Sequence, residues 1–156
     1  FEGSDKRKLA WISKNTNAGT DYYFPYKYKS RTATQPTEYN LILRLAEQYL
    51  IRAEARVNLG DLNGAMEDLN AIRKRAGLAS LASLTKQQLF QWIMNERQKE
   101  LFCEMGHRWF DLKRTGKIDS VLSIEKGNHW QSTDALFPIP QTEIDRNPFL
   151  KQNPGY

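Results

Sequence analysis

Between Tyr49 and Gly77 the sequence YLIRAEARVNLGDLNGAMEDLNAIRKRAG holds two stretches of helical apolar spacing with only Gly60 and Asp61 between them. Two helices joined by so short a link must double back on one another, so this stretch constrains the fold more than any other. The first helix is predicted from about Asn40 to Leu59, with Leu41, Leu45, Tyr49, Ala53 and Val57 as its stripe and Gly60 as a left-handed stop. Asp61 is placed to cap the second, whose stripe is Leu62, Ala65, Met66, Leu69, Ile72 and Ala76. Arg73, Lys74 and Arg75 then favour the helix dipole, and Gly77 ends the helix. Such a hairpin has tetratricopeptide character, and one unit of that kind cannot bury its apolar face alone.

A partner follows. Thr85 and Gln88 form a capping box, flanked by Leu84 and Leu89 as a hydrophobic staple. The third helix that starts there is expected to reach about Arg108, with Gly106 as a break point. Residues 1–36 lack sustained periodicity and read as loops with one or two short strands around Tyr22 to Tyr28, and Pro36 marks their boundary. After Gly116 the pattern dissolves into turns. Pro138, Pro140, Pro148 and Pro154 fix an extended tail with one helical turn near Thr142 to Asp145, and Asn153-Pro154-Gly155 forms a turn that lets Tyr156 dock. The expected fold is mainly α: a tetratricopeptide-like helical hairpin plus a third long helix, with irregular, loop-rich N- and C-terminal segments. Residues 1–36 form the loop-rich segment and 37–156 the helical part of a single domain.

A chain of 156 residues can bury roughly two thirds of its unfolded surface. Four Trp, seven Tyr and seven Phe supply enough apolar area that global disorder is excluded. The formal charge of +5 is uneven: residues 1–35 hold seven Lys/Arg against three Asp/Glu, a net +4. Cations beside Tyr and Trp suit nucleic acid in principle, but no basic face or nucleic-acid motif accompanies them, so a solvated polar segment is the preferred reading. No stretch is long and apolar enough for a signal peptide or a membrane span. With Cys103 as the single cysteine, neither an internal disulfide nor a multi-cysteine zinc site can form.

The segment ERQKELFCEMGHRWFDLKR, Glu96 to Arg114, invites an enzymatic reading because Glu96, Glu100 and Glu104 recur every fourth residue, with Arg97 and Arg108 along the flank. A glycosidase, however, needs two carboxylates on either side of a sugar bond, which neighbours on one helix seldom supply. A structural charge network of Glu96, Arg97, Glu100, Glu104, Arg108 and Asp111 is preferred. Glu104 and His107 have the E-x-x-H spacing of di-iron carboxylate sites, but the second pair is missing because His129 has Lys126 at the matching position. Cys103, read as mid-helix, lacks a cation or helix N-terminus to activate it and is expected to be a packed thiol. No catalytic residue, metal site or cofactor is expected.

The lead-in RLAEQYLIRAE (Arg44 to Glu54) with its hairpin, the Glu96 to Arg114 segment, and the ending LFPIPQTEIDRNPFLKQNPGY (Leu136 to Tyr156) resemble, in this order, the C-terminal region of SusD/RagB proteins. The resemblance runs from about Asn40 to Tyr156. It implies a surface-exposed lipoprotein of Bacteroidetes-type outer membranes, in which residues 1–36 would belong to the ligand-facing lobe. Such a protein captures oligosaccharides or other nutrients without catalysis, as the lid of a SusC-like TonB-dependent transporter. The family's signal peptide, lipidated cysteine and larger N-terminal region do not occur in these residues, so membrane attachment is expected only through a lipid anchor outside them. The matching blocks read as structural. Sugar binding is therefore sought among the non-helical aromatics Trp11, Tyr22, Tyr23, Tyr26, Tyr28 and Trp130, whose rings could stack on a sugar face, while Trp92 and Trp109 are expected in the core. The alternatives are a tetratricopeptide-type protein interaction module, suggested by the hairpin, and a carbohydrate-active hydrolase using the glutamates.

Overall fold

Helix α2 (Leu45–Leu59) and helix α3 (Leu62–Arg75) form the antiparallel hairpin, and its corner is held by local chemistry. Gly60 takes φ 89° and its N–H reaches back to the carbonyls of Arg56 and Val57. The Asp61 carboxylate accepts from the Gly64 N–H at 2.9 Å. A Cβ at position 64 would lie 2.3 Å from Asp61 Oδ2, so glycine in this helix's first turn makes room for the cap. Arg52 then grips the buried Asp68 through two hydrogen bonds of 2.9 and 2.7 Å, and Arg56 adds a third of 2.9 Å. The computed structural model describes residues 1–30, 35 and 37–156, so the boundary expected at Pro36 lies outside the described residues.

The chain divides into two compact units, Phe1–His107 and Arg108–Tyr156. In the first, helix α4 (Lys86–Glu100) lies on the hairpin, and its N-terminus is the Thr85/Gln88 capping box. Leu50, Ala53 and Val57 of α2, Leu69 and Ile72 of α3, and Leu89 and Ile93 of α4 form the core. Trp92 and Leu84 pack at its edge. The buried face of α2 is Ala46, Leu50, Ala53 and Val57; Leu45 is 73% exposed, and α2 starts five residues later than its apolar pattern suggests. Apolar residues surround this helix widely enough to allow two stripe phases that share Ala53 and Val57. Packing against α3 and α4 selects one of them.

The front segment is more regular than its composition predicts. Asp5 caps a short helix α1 (Lys6–Trp11), and strands β1 (Ile12–Asn17) and β2 (Thr20–Pro25) form an antiparallel hairpin. Its turn places Ala18 and Gly19 at φ 48° and 80°, a twist suited to tight hairpins. Strand β2 overlaps the short strand expected around Tyr22 to Tyr28, while weak alternation hid β1, because most of the hairpin's side chains are exposed on both faces.

Helix α4 ends at Glu100 instead of continuing to about Arg108. The Glu100 carbonyl accepts from Lys27 Nζ at 2.8 Å and from Arg44 Nη2 at 2.5 Å, where an intact helix would offer it the N–H of residue 104. Cys103, Met105 and Gly106 then take positive φ. Glu104 therefore leaves the face it would share with Glu96 and Glu100. Cys103 sits in this turn, exposed, so it is neither mid-helix nor packed, and partial burial raises its thiol pKa.

Helix α5 (His107–Arg114), which lies in the second unit from Arg108 on, leads to helix α6 (Ile118–Lys126), which stands where only turns were expected. Leu112, Ile118 and Leu122 are its core, with Trp109 and Trp130 packed alongside. The tail carries helix α7 (Gln141–Arg146) and folds back: Gln152 exchanges hydrogen bonds of 2.7 and 2.9 Å with the Ile139 backbone, and Tyr156 Oη donates to the Leu136 carbonyl at 2.9 Å.

The stripe phase gives a direct test by chemical denaturation. Leu50→Ala should destabilise by about 2–5 kcal/mol, and Leu45→Ala by less than about 0.5 kcal/mol.

Candidate functional site

Glu96 and Glu100, one turn apart on α4, have no solvent exposure. Such charges persist only where cations and hydrogen-bond donors replace water. Arg7 of α1 meets Glu96 at 2.6 Å and Glu100 at 3.0 Å, and its remaining nitrogens bind Asp5 at 2.9 and 2.8 Å. Arg75, in the last turn of α3, pairs with Glu100, and Arg73 lies 3.7 Å from Glu96 while bridging to Glu2. Burial by itself would raise the Glu100 pKa. The hydrogen bond and charge of Arg75, with Arg44 and Arg7 beside it, outweigh burial and hold the carboxyl below the usual carboxylate range. The same balance, with carboxylates outweighing burial, raises the Arg7 pKa above its ordinary value.

Toward the surface the network opens into a cavity of about 360 Å³. Arg44, extended just before α2, spans Glu100 and Glu104 at 2.7 Å each. Lys27, just past the β-hairpin, pairs with Glu104 at 2.9 Å, and its ammonium stands 4.0 Å from the centre of the Trp11 ring. Burial lowers the Lys27 pKa and Arg44 adds to that, with Glu104 opposing. Trp11, Tyr28, Tyr39 and Leu41 supply the apolar walls, and Glu38 completes the rim by accepting from the backbone N–H groups of Lys29 and Ser30. The ionic groups of this concavity are thus engaged within the protein, and what it offers a ligand is mainly aromatic surface with polar edges. Stacking on an uncharged ring suits that lining.

Of the aromatics singled out in the sequence, Trp11 and Tyr28 line the cavity. Tyr22 and Tyr23 are exposed on β2, and Tyr26 is half-buried, edge-on to Phe24 with centroids 6.2 Å apart. Trp130 belongs to the second unit, where its Nε1 donates to Asp119 at 2.9 Å beside Trp109. Glu96, Glu100 and Glu104 are buried among cations, and Arg97 is buried as well. Arg108 pairs with Glu125 at 3.2 Å, and Asp111 accepts from Arg114 at 2.8 Å, both in the second unit. His107 lies 3.7 Å from Glu47, and among the described residues no group of three or more His, Cys, Asp or Glu side chains is arranged to hold a metal ion. Sequence reading missed Arg7, Lys27, Arg44 and Arg75 as partners of the glutamates. The RLAEQYLIRAE block contained Arg44, but nothing local connects it to residues 100 and 104.

The model of the SusD family matches residues 4–156. The starch-binding protein SusD of Bacteroides thetaiotaomicron is 35% identical over 132 residues, which cover 80% of this chain and 23% of that protein. SusD-like protein P38 of Formosa agariphila is also 35% identical, over 127 residues, 75% of this chain and 25% of that protein. Among solved structures, surface glycan-binding protein A from Bacteroides uniformis superposes with a TM-score of 0.74 at 30% identity, covering 98% of this chain and 38% of its own. The chain spans about a quarter of the length of these two curated relatives.

Neutralising a member of the buried network should be costly. Glu100→Gln strands Arg7, Arg44 and Arg75 and is expected to destabilise by about 3–5 kcal/mol in urea titrations at pH 7. The pH dependence has a fixed sign. A carboxyl held low in the folded state contributes stability above its unfolded pKa and loses it as pH falls through the folded value, so melting temperature should hold steady from pH 7 to about 5 and fall below about pH 4.5. Glu100→Gln should flatten that acid limb.

Proposed function

This chain belongs to the SusD family, and on that premise we propose that it captures oligosaccharides or other nutrients at the cell surface, non-covalently and without catalysis, for uptake through a partner TonB-dependent transporter of the SusC type. The protein would work on the outer membrane as a lipoprotein, with its lipid anchor outside these residues. The observation that carries this reading is the cavity bounded by Trp11, Tyr28 and Tyr39, whose neighbouring ionic groups, Lys27, Arg44 and Glu104, are committed to one another. A pyranose offers an apolar C–H face to such rings and hydroxyls to a polar rim, and hydroxyls left unpaired would be costly. One relative is named for starch binding and a structural relative for surface glycan binding, which supports the same ligand class here.

The hydrolase alternative is less well supported. Two catalytic carboxylates must reach a substrate from opposite sides, one of them protonated. Glu96 and Glu100 are enclosed by Arg7, Arg73 and Arg75, and Glu100 is ionised. The glutamates serve instead as the support on which the cavity is built.

Isothermal titration of the intact protein against oligosaccharides should yield saturable binding with no release of reducing ends. Tyr39→Ala, at an exposed position of the cavity wall, should weaken that binding by about fivefold to tenfold without lowering the melting temperature. Absence of binding across the whole panel would refute glycan capture.

A further inference from the structure

The β1–β2 hairpin sorts its side chains into two chemically different faces. Asn15 stands opposite Tyr22 and Lys14 opposite Tyr23, so the pleat puts Lys14, Thr16, Asp21 and Tyr23 on one side and Asn15, Asn17, Thr20, Tyr22 and Phe24 on the other. The first side is self-contained. Lys14 Nζ and Thr16 Oγ1 both donate to the Asp21 carboxylate, at 2.5 and 2.6 Å, and hold its pKa below the ordinary value.

The second side is open. Tyr22 is 59% exposed, and among the described residues the side chains of Asn15, Asn17, Thr20 and Tyr22 make no hydrogen bond with one another or with the rest of the chain. This side carries an aromatic ring flanked by two amides, each able to donate and accept, and it has no charged side chain. A ligand that fits must present an apolar patch for the ring and groups that both donate and accept for the amides, with no charge requiring a counter-ion. A neutral pyranose does this; a uronate or sulfated sugar would lose water from its anion with no cation in return.

The hairpin also grows out of the cavity wall. The Tyr26 N–H donates to the Trp11 carbonyl at 2.7 Å, closing the hairpin base on the residue that lines the cavity. Tyr22 lies four residues beyond that closure, about 13 Å along the strand. We infer that the Asn15, Asn17 and Tyr22 face is a separate subsite for neutral oligosaccharides several units long, an inference that rests on the glycan-capture reading above and gives it a ligand class.

The test is titration of the intact protein with neutral hexasaccharides (malto-, cello-, laminari- and manno-series) and, in parallel, with alginate and carrageenan hexasaccharides. For the neutral hexasaccharide that binds, Tyr22→Ala should lower affinity by about tenfold and Asn15→Ala by about threefold, while Tyr23→Ala, on the self-contained face, should stay within about twofold. Circular-dichroism melts matching the wild type would show that each variant folds. Wild-type affinity for Tyr22→Ala and Asn15→Ala, with loss of binding in Tyr39→Ala, would overturn the hairpin subsite and leave glycan capture standing. Binding of the charged hexasaccharides alone would overturn the neutral ligand class and also leave capture standing. If the wild type bound none of these sugars, both readings would fall.

Discussion

Two carboxylates removed from water on one turn of α4 set the terms for the first unit. Each would cost several kcal/mol if unmatched, so the chain must bring cations to them from wherever they lie in the sequence. Arg7 arrives from 93 residues away in sequence, Arg44 from 56, and Arg75 from the end of the helical hairpin. Hydrophobic burial among α2, α3 and α4 is non-directional and would tolerate small slips. A guanidinium shared by two carboxylates at about 3 Å would not, and this converts a generic helical core into one arrangement of α1, the β-hairpin base and the approach to α2.

The cavity follows from that arrangement. Lys27 and Arg44 reach the Glu100 carbonyl and the Glu104 carboxylate together, ending α4 and turning residues 101–106 through several left-handed positions. Because their charge is spent there, the same two side chains can stand beside Trp11 and Tyr39 without making the concavity a strong ion trap. Glu100, held ionised by arginines, is a poor proton donor at neutral pH, so the residue that most resembles catalytic machinery in the sequence is, in space, part of a buried ion network.

The parts of the fold legible in the sequence were those decided within a few residues. Asp61 capping α3, Gly60 closing α2 and the Thr85/Gln88 box are local hydrogen-bonding problems with few solutions, and each stands where its residue type implies. The turn at Pro154-Gly155 with Tyr156 docked on Leu136 belongs to the same class. What stayed hidden depends on distant groups. The phase of the α2 stripe is chosen by α3 and α4, and α4 stops at Glu100 because Lys27 and Arg44 reach its carbonyl from far up the chain. The first strand of the β-hairpin and its pairing escaped for a different reason: with both faces largely exposed, no hydrophobic alternation exists to be read. Of the site, Trp11, Tyr28 and the three glutamates were visible as residues, but the cations around them and the contribution of Tyr39 were not, since pairing across so many residues leaves no local trace.

If the proposed capture ends in handing the cargo on, no single contact can be unbreakable, and the two proposed surfaces would divide that task physically. The cavity is anchored to the buried ion network and pays little conformational entropy on binding, whereas the hairpin projects from it with exposed side chains that must be ordered by the ligand. Joined through Trp11 and Tyr26, they would act on one sugar chain as two weak sites at high effective concentration, so a long oligosaccharide would gain affinity from both and a short one from only one. Release would then proceed stepwise, each step breaking only a stacked ring and a few neutral hydrogen bonds. Charged anchors would have strengthened capture at the expense of that release, and both surfaces keep their ionic groups paired internally or on the opposite face.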